Sequence, residues 1–475
     1  MSTTAVFQTI SPINNQVWLE RPYASDKQIA VALEQATKAQ QLWCKLPLNE
    51  RIAYCQQAMD YCLSQQQAIG RDICWQMGRP LLQAEREVTV MVERASYMLE
   101  VAESALAPAQ LHAKAGFNNR LVREPLGLVM VIAPWNYPLL TAINSIIPAL
   151  VAGNGVILKH SSQTPRCAEW LAEAFKQAQL PEGVFQYLHL DHQTTGELLI
   201  ANEINHVVLT GSVSAGKQVE QQLAGHFKTL GLELGGKDAA YIRPDADLKA
   251  SVASIIDGAF YNSGQSCCGI ERLYIHQDVY NQCLPMIIDA VKQYRLGHPE
   301  HQQTTLGPMV RASAASQVQA QIQQAIEQGA EAQLDSQLFI NEVFGQPPLR
   351  INTANSAYLA PQVLTGVNHQ MDVMMEETFG PLLPVMKVSD DQQAITLIND
   401  SDYGLTAAIY SQDNETTRNI GNQLAVGTVF LNRCDYLDPA LAWTGVKASG
   451  KGYCLSAWGY ETVTRPKSYH FKEQA

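Results

Sequence analysis

Two doubly wound α/β units are what this sequence predicts, on three observations. From residue 126 onward, short continuous apolar runs alternate with helical segments, the rhythm of strands buried on both faces and of the helices that cover them. Glycine-rich turns follow several of those runs, where a strand hands over to a helix. And 475 residues are too many for one hydrophobic core, so two or three domains are expected.

Taken in order, the start is irregular, and residues 26–46, 49–69 and 83–106 have helical periodicity, with Asp26 as an early-turn acid. This lead-in carries no chemical motif. Residues 111–125 contain Gly116, Asn118 and Asn119 and read as a hairpin projecting from the body. The strand–helix rhythm then begins with an all-apolar strand at 128–133 and a helix at 141–152 that ends at Gly153. A strand at 155–159, a helix at 167–179 stopped by Pro181 and Gly183, and strands at 183–189 and 206–210 follow. Thr210-Gly211-Ser212-Val213-Ser214-Ala215-Gly216 joins the last of these to a helix at 217–224. Such a turn is where a dinucleotide phosphate can meet helix-terminal N–H groups, although GxxxxG alone fits a plain connection as well.

The second unit follows a strand at 230–234 that ends in Gly235-Gly236. It comprises a strand at 239–242, a helix at 248–261, a strand at 272–276, and helices at 279–294 and 312–328. Residues 333–353 read as an irregular polar excursion, and strands at 383–388, 406–410 and 427–432 close the sheet. A last strand-like piece, 462–471, lies beyond the glycine-rich 447–452.

Residues 260–272, FYNSGQSCCGIER, set a cysteine on a tight turn of small residues, and Cys267 is the candidate nucleophile. Glu233 lies 34 residues upstream in an apolar, glycine-flanked segment, and Asn136 follows a strand-like run in APWNYP. A thiol, a carboxylate base and an amide donor suffice for thioester chemistry: attack, oxyanion stabilisation, hydrolysis. The plain reading of a lone cysteine is a small buried hydrophobe, and it suits the other nine.

With 33 basic and 45 acidic residues the formal charge is −12, with no basic block, which argues against nucleic acid or an anionic membrane as partner. Ten scattered cysteines with no CxxC suggest a reducing, cytoplasmic setting, and MSTTAVFQTI has no signal-peptide pattern. The most apolar stretch, 126–153, is broken by Pro134, Asn136, Pro138 and Asn144, so no membrane helix is expected. The 11 histidines show no paired ligand spacing, and no metal is expected.

GQSC (264–267), LELGGK (232–237), PWNYP (134–138), GNGVILK (153–159), TGSVSAG (210–216) and EETFGP (376–381) occur in the order found in the NAD(P)-dependent aldehyde dehydrogenase superfamily, which the chain resembles. The resemblance implies an aldehyde dehydrogenase-like fold: two Rossmann-like α/β domains plus a small β flap for oligomerisation. It implies an NAD(P)-binding domain at 1–104 and 126–233, a catalytic domain at 234–455, and an oligomerisation hairpin and tail at 105–125 and 456–475. Cys267 would attack the aldehyde, Asn136 and the backbone N–H of Cys267 would hold the oxyanion, and Glu233 would activate water. Ile132, Pro134 and Trp135 would lie along the cofactor, and Lys159 would reach its adenosine ribose. Gly211, Ser212 and Gly216 would approach the pyrophosphate, Leu234 and Phe379 would border the nicotinamide, and Glu377 would hold its ribose. A homodimer or homotetramer follows from the same likeness.

Three departures carry information. Many NAD-preferring relatives have a glutamate where Ser162 stands; a serine beside Lys159 removes its repulsion of a 2′-phosphate, so NADP is expected to be accepted, with NAD also in play. Trp443 replaces the usual aromatic against the aldehyde. With Tyr137 it suggests an aromatic-walled, mostly apolar mouth beside Ser266 and Cys268. The loop 432–438 is unusually charged: Arg433 would grip a carboxylate, favouring a semialdehyde, or would simply pair with Asp435 or Asp438. Retention of Glu233 favours hydrolysis over acyl transfer to CoA. A non-catalytic protein on the same fold, or a thiol esterase, would leave the intact site or the cofactor motifs unexplained.

Overall fold

The apolar run Leu128–Ala133 is buried at every position and forms the middle of a six-stranded sheet. Across that sheet the order is Gly450–Lys451, Thr229–Glu233, Ile204–Thr210, Leu128–Ala133, Gly155–His160 and Phe185–Tyr187. All neighbours are parallel except Gly450–Lys451, which runs antiparallel beside Glu233. The chain starts in the centre, moves outward one way, then returns to build the other side. The switch therefore falls between Leu128–Ala133 and Ile204–Thr210. In open parallel sheets the loops leaving such a point diverge and open a crevice for ligand. Here those loops are the ones that begin at Pro134 and at Gly211.

This computed structural model describes residues 5–339, 351–353 and 355–473. Its second sheet has seven strands: Glu331–Ala332, Gln362–Thr365, Leu382–Val388, Ile270–His276, Asp238–Ile242, Thr406–Tyr410 and Thr428–Leu431. Only Glu331–Ala332 is antiparallel to its neighbour. The helix Leu140–Val151, buried at every position but Thr141, backs the first sheet together with the lead-in helices. No described helix is long and apolar enough to cross a membrane.

Several elements differ from the sequence reading. Val6–Ile10 and Val17–Pro22 form an antiparallel hairpin instead of an irregular start. Its pattern is masked because Thr9 takes a core position, donating its hydroxyl to the Ser162 carbonyl at 2.8 Å. The helix expected at 49–69 is two, Leu48–Ser64 and Gln66–Met77, which meet at Gln65 with φ −103° and ψ 14°. Residues 111–125 turn back only briefly, through an isolated antiparallel bridge of Lys114 with Phe117, and build no regular two-stranded hairpin of their own. Phe117–Pro125 instead pairs antiparallel with Thr464–Lys472 in a ribbon, and Gly459–Thr462 is a short helix rather than the start of that strand. The strands Glu331–Ala332 and Gln362–Thr365 are too short to show a period. The excursion at 333–353 lies largely outside the described residues.

The helix Val213–Leu223 begins four residues earlier than its periodicity suggests, because Ser212 caps it by accepting the Ala215 N–H at 3.2 Å. It lies so close to the sheet that a Cβ on Gly216 would sit 2.6 Å from Leu234 Cδ1. Gly216→Ala is therefore expected to cost about 1–3 kcal/mol by overpacking. Urea unfolding measures this, and shortening Leu234 in the same chain should recover part of the loss.

Candidate active site

The turn that carries Cys267 is held in an unfavourable conformation. Asn262, Ser263 and Gly264 follow one another at φ 53°, 56° and 69°. Left-handed backbone is costly for residues with a Cβ, so surrounding contacts must impose it. Gly264 is required outright, since a Cβ there would run into the carbonyl of Gly380. Asn262 is fixed by Arg79, whose Nε donates to its Oδ1 at 3.0 Å. Its Nδ2 donates to the carbonyls of Asn136 and Gln265, each at 3.1 Å. Gln265 is buried and anchors the far side, its Oε1 accepting the Val310 N–H at 2.8 Å.

Arg79 and Glu87, neither expected from the sequence, bind this turn to the Pro134–Pro138 loop. Both side chains are essentially without solvent exposure. Arg79 pairs with Glu87, donates to the Asn136 carbonyl and lies 4.3 Å over the Tyr137 ring. The other oxygen of Glu87 accepts the N–H groups of Leu139 and Leu140 at 2.9 and 3.1 Å. On the opposite side His160 Nε2 meets the Pro138 carbonyl at 2.9 Å, and burial lowers its pKa to about 4, so it stays a neutral donor there. Asn136 is thereby fixed, with one amide hydrogen directed to the Gln265 carbonyl at 3.2 Å. An amide carries two donors, so a second remains for an oxyanion. A possible signal for Arg79 was its place between Gly78, which ends a helix at φ 84°, and Pro80, which opens the next.

Glu233 ends its strand between Thr210 and Gly450. Thr210 donates to its Oε2 at 3.2 Å, and the buried Cys454 thiol is hydrogen-bonded to it as well. Burial raises its pKa above the usual carboxylate range, more than these bonds and the Arg94 charge lower it. A carboxylate tuned upward in this way is suited to accept a proton near neutral pH.

Cys267 is half-buried and lies where two cavities meet. The first, about 340 Å³, is lined by Pro134, Trp135, Asn136, Gly211, Ser212 and Leu234 on one side and by Glu377 and Phe379 on the other. Trp135 and Phe379 meet edge to face, 5.6 Å between centroids; both line this cavity, and Trp135 also packs against the core behind the first sheet. Glu377 accepts the Gly236 N–H at 3.1 Å, and burial with the nearby Glu271 charge lifts its pKa to about 8. Glu271 in turn accepts the N–H groups of Thr378 and Phe379, each at 2.7 Å, and pairs with the buried Lys237 at 2.9 Å. Sequence reasoning missed this clamp too. Ile132, Lys159, Ser162 and Gly216 stand outside the lining. Ile132 and Lys159 are partners on adjacent strands, and Ser162 is exposed just past them.

The second cavity, about 320 Å³, brings together all five residues expected around the aldehyde: Tyr137, Ser266, Cys268, Arg433 and Trp443. The Arg433 pairings considered above do not form. Asp435, at φ 46°, turns inward and accepts from Ser266 Oγ at 2.9 Å and Cys268 Sγ at 3.0 Å. Arg433 instead lies 3.4 Å over the exposed Tyr436 ring. The Cys268 thiol is pushed well above its ordinary pKa by its hydrogen bond with Cys267, by burial and by the Asp435 charge. It is therefore a protonated wall rather than a thiolate.

A parallel α/β sheet with a switch-point groove running to a strained cysteine turn defines a class of enzyme. The chain belongs to the aldehyde dehydrogenase family, whose model matches residues 1–469. It is an oxidoreductase that acts on aldehydes. It is similar to a succinate-semialdehyde dehydrogenase [NADP(+)] of Deinococcus radiodurans, 32% identical over 461 residues that span 97% of this chain and 94% of the relative. An aldehyde dehydrogenase of Paenarthrobacter nicotinovorans is 32% identical over 88% of this chain and 90% of its own. Among solved structures, the NADP-dependent glyceraldehyde-3-phosphate dehydrogenase of Bacillus halodurans, complexed with NADP, superposes with a TM-score of 0.91 at 29% identity. It covers 100% of this chain and 97% of its own.

Because the Arg79–Glu87 pair lies in the interior, removing one partner strands the other charge. Arg79→Met or Glu87→Gln should each lower stability by about 3–5 kcal/mol, with the double variant losing less than the sum. Urea unfolding of the three variants checks this.

Proposed function

We propose that this chain oxidises an aldehyde to the carboxylic acid with NAD or NADP, through a thiohemiacetal and then a thioester on Cys267. The observation that carries this reading is the meeting of the two cavities at Cys267, with Glu233 lining both. The aldehyde carbonyl comes to the thiol from the Tyr137–Trp443 side, whose aromatic walls suit an apolar stem next to the carbonyl. The free amide hydrogen of Asn136 and the Cys267 N–H hold the oxyanion, worth about 3–4 kcal/mol per donor. Glu233 takes a proton from the water that cleaves the thioester, and its presence favours release of a free acid.

The first cavity fits a dinucleotide. Ser212 caps an 11-residue helix at its rim, so the first-turn N–H groups offer an anion site, and Gly211 leaves the backbone bare beside them. Glu377 supplies acceptors for ribose hydroxyls, and Phe379 and Leu234 a flat apolar face. Bound NAD or NADP supplies the hydride acceptor. Lys159 and Ser162 reach the adenosine end, where a serine tolerates a 2′-phosphate. Residues 1–104 and 126–233 serve the cofactor, and 234–455 carry the nucleophile. Residues 105–125 and 456–475 serve oligomerisation: within them Phe117–Pro125 and Thr464–Lys472 form a ribbon with Phe471 55% exposed, suited to pairing copies into a homodimer or homotetramer. Ten free thiols among the described residues suit the reducing cytoplasm.

Two experiments test this. In Glu233→Gln the thioester forms but its hydrolysis slows, so about one reduced cofactor per site should appear in a burst. The steady rate then falls about 10²–10⁴-fold. In the wild type, acyl-enzyme hydrolysis should fall as pH drops through the raised pKa of Glu233, at higher pH than for an ordinary carboxylate. A rate independent of pH, or loss without a burst, removes Glu233 as base. Second, Ser162→Glu should shift the NAD-to-NADP ratio of kcat/KM toward NAD by about tenfold or more. An unchanged ratio would show that Ser162 does not read the 2′-position.

A further inference from the structure

The second cavity is lined by a buried cation whose donors the described residues leave largely unmet. Arg94, on the helix Leu81–Leu106, is only 7% exposed and lines this cavity together with Cys267. Its Nε is buried without a hydrogen-bond partner. Among the described residues its one hydrogen bond is a long one, from Nη1 to Asn144 Oδ1 at 3.5 Å. The contrast with Arg79 is direct: each of that guanidinium's three nitrogens is bonded, to Asn262, Glu87 and the Asn136 carbonyl. A guanidinium has five donors, and a buried charge without a partner is expensive. Charges do lie around it, since Glu87 and Glu233 both act on Arg94. Glu87, however, is spent on Arg79, Leu139 and Leu140, while Glu233 is bonded to Thr210 and Cys454. Neither forms an ion pair with Arg94.

We propose that Arg94 is the anchor for a carboxylate on the substrate, so that the aldehyde this site selects is a semialdehyde with its acid end at Arg94 and its carbonyl at Cys267. This rests on the aldehyde-oxidising reading above and sharpens its substrate. The planar fork matches a carboxylate through two parallel N–H donors, and Nε is one of the two that such a pair uses. Tyr137 and Trp443 face the apolar stem between the two ends. One buried guanidinium balances one negative charge, which favours a carboxylate over a phosphate dianion. Arg433 is a poorer anchor, being exposed and stacked on Tyr436 at the rim.

The test compares kcat/KM for succinic, glutaric and adipic semialdehydes with that for butanal, pentanal and hexanal, with glyceraldehyde 3-phosphate as the phosphate arm. Wild type should prefer the best semialdehyde over its neutral counterpart by about tenfold or more, chiefly through KM. In Arg94→Met that ratio should collapse by about thirtyfold, and taking the ratio cancels any effect on Glu233 common to both substrates. Arg94→Lys, which keeps the charge without the fork, should fall between and serves if the methionine variant melts early. A ratio unmoved by both variants, or a wild-type preference for the neutral or phosphorylated aldehydes, overturns the proposal while leaving aldehyde oxidation standing. Failure to reduce NAD or NADP with every aldehyde would instead sink the reading beneath it.

Discussion

A guanidinium that water never reaches carries much of this site. Arg79 sits in the short link between two lead-in helices, yet its bonds run to Asn136 in one loop, Asn262 in another and Glu87 in the following helix. Isolated burial of such a charge would be prohibitive; with each of its three nitrogens bonded it becomes a rigid joint. Because Glu87 also holds Leu139 and Leu140, the same pair orients the start of the buried helix behind the first sheet. The relative position of the amide and the thiol is thus a property of the interior rather than of surface loops.

The strain in the cysteine turn fits this picture. Three left-handed residues in a row would relax if the turn were free. They persist because Arg79 pulls on Asn262 from one sheet's side and the Gly380 backbone closes over Gly264 from the other. The Gly380 segment is itself clamped through Glu271 and Lys237, and it bears Phe379 and Glu377 in the wall of the first cavity. The Cys267 thiol, the Asn136 amide and the Glu377 carboxyl are thereby set by one connected network of buried charge and backbone.

Much of this was legible from sequence where the signal is local. Glycines, prolines and a cysteine in short runs mark turns whose chemistry depends on neighbours in the chain, and so the Cys267, Glu233 and Asn136 segments stood out. The long apolar strands announced the parallel sheets for the same reason. What stayed hidden is non-local. Arg79, Glu87 and Arg94 look like ordinary charged residues of a helical lead-in until partners from distant parts of the chain arrive. Asp435 looked like a companion for Arg433, but its left-handed backbone turns it inward to Ser266 and Cys268. The ribbon of Phe117–Pro125 and Thr464–Lys472 joins strands far apart in the chain, and no local pattern encodes that pairing.

The two chambers share only four lining residues: Thr210, Glu233, Leu234 and Cys267. That narrow waist has a consequence for chemical intervention. A compound on the Trp443 side and one on the Ser212 side touch different residues everywhere except at these four, so separate small molecules can occupy the two chambers. One molecule spanning both must thread past a thiol and a carboxyl with a thin linker. The waist is also where an electrophilic group on such a linker would meet Cys267, which makes it the natural point of attachment for a covalent inhibitor.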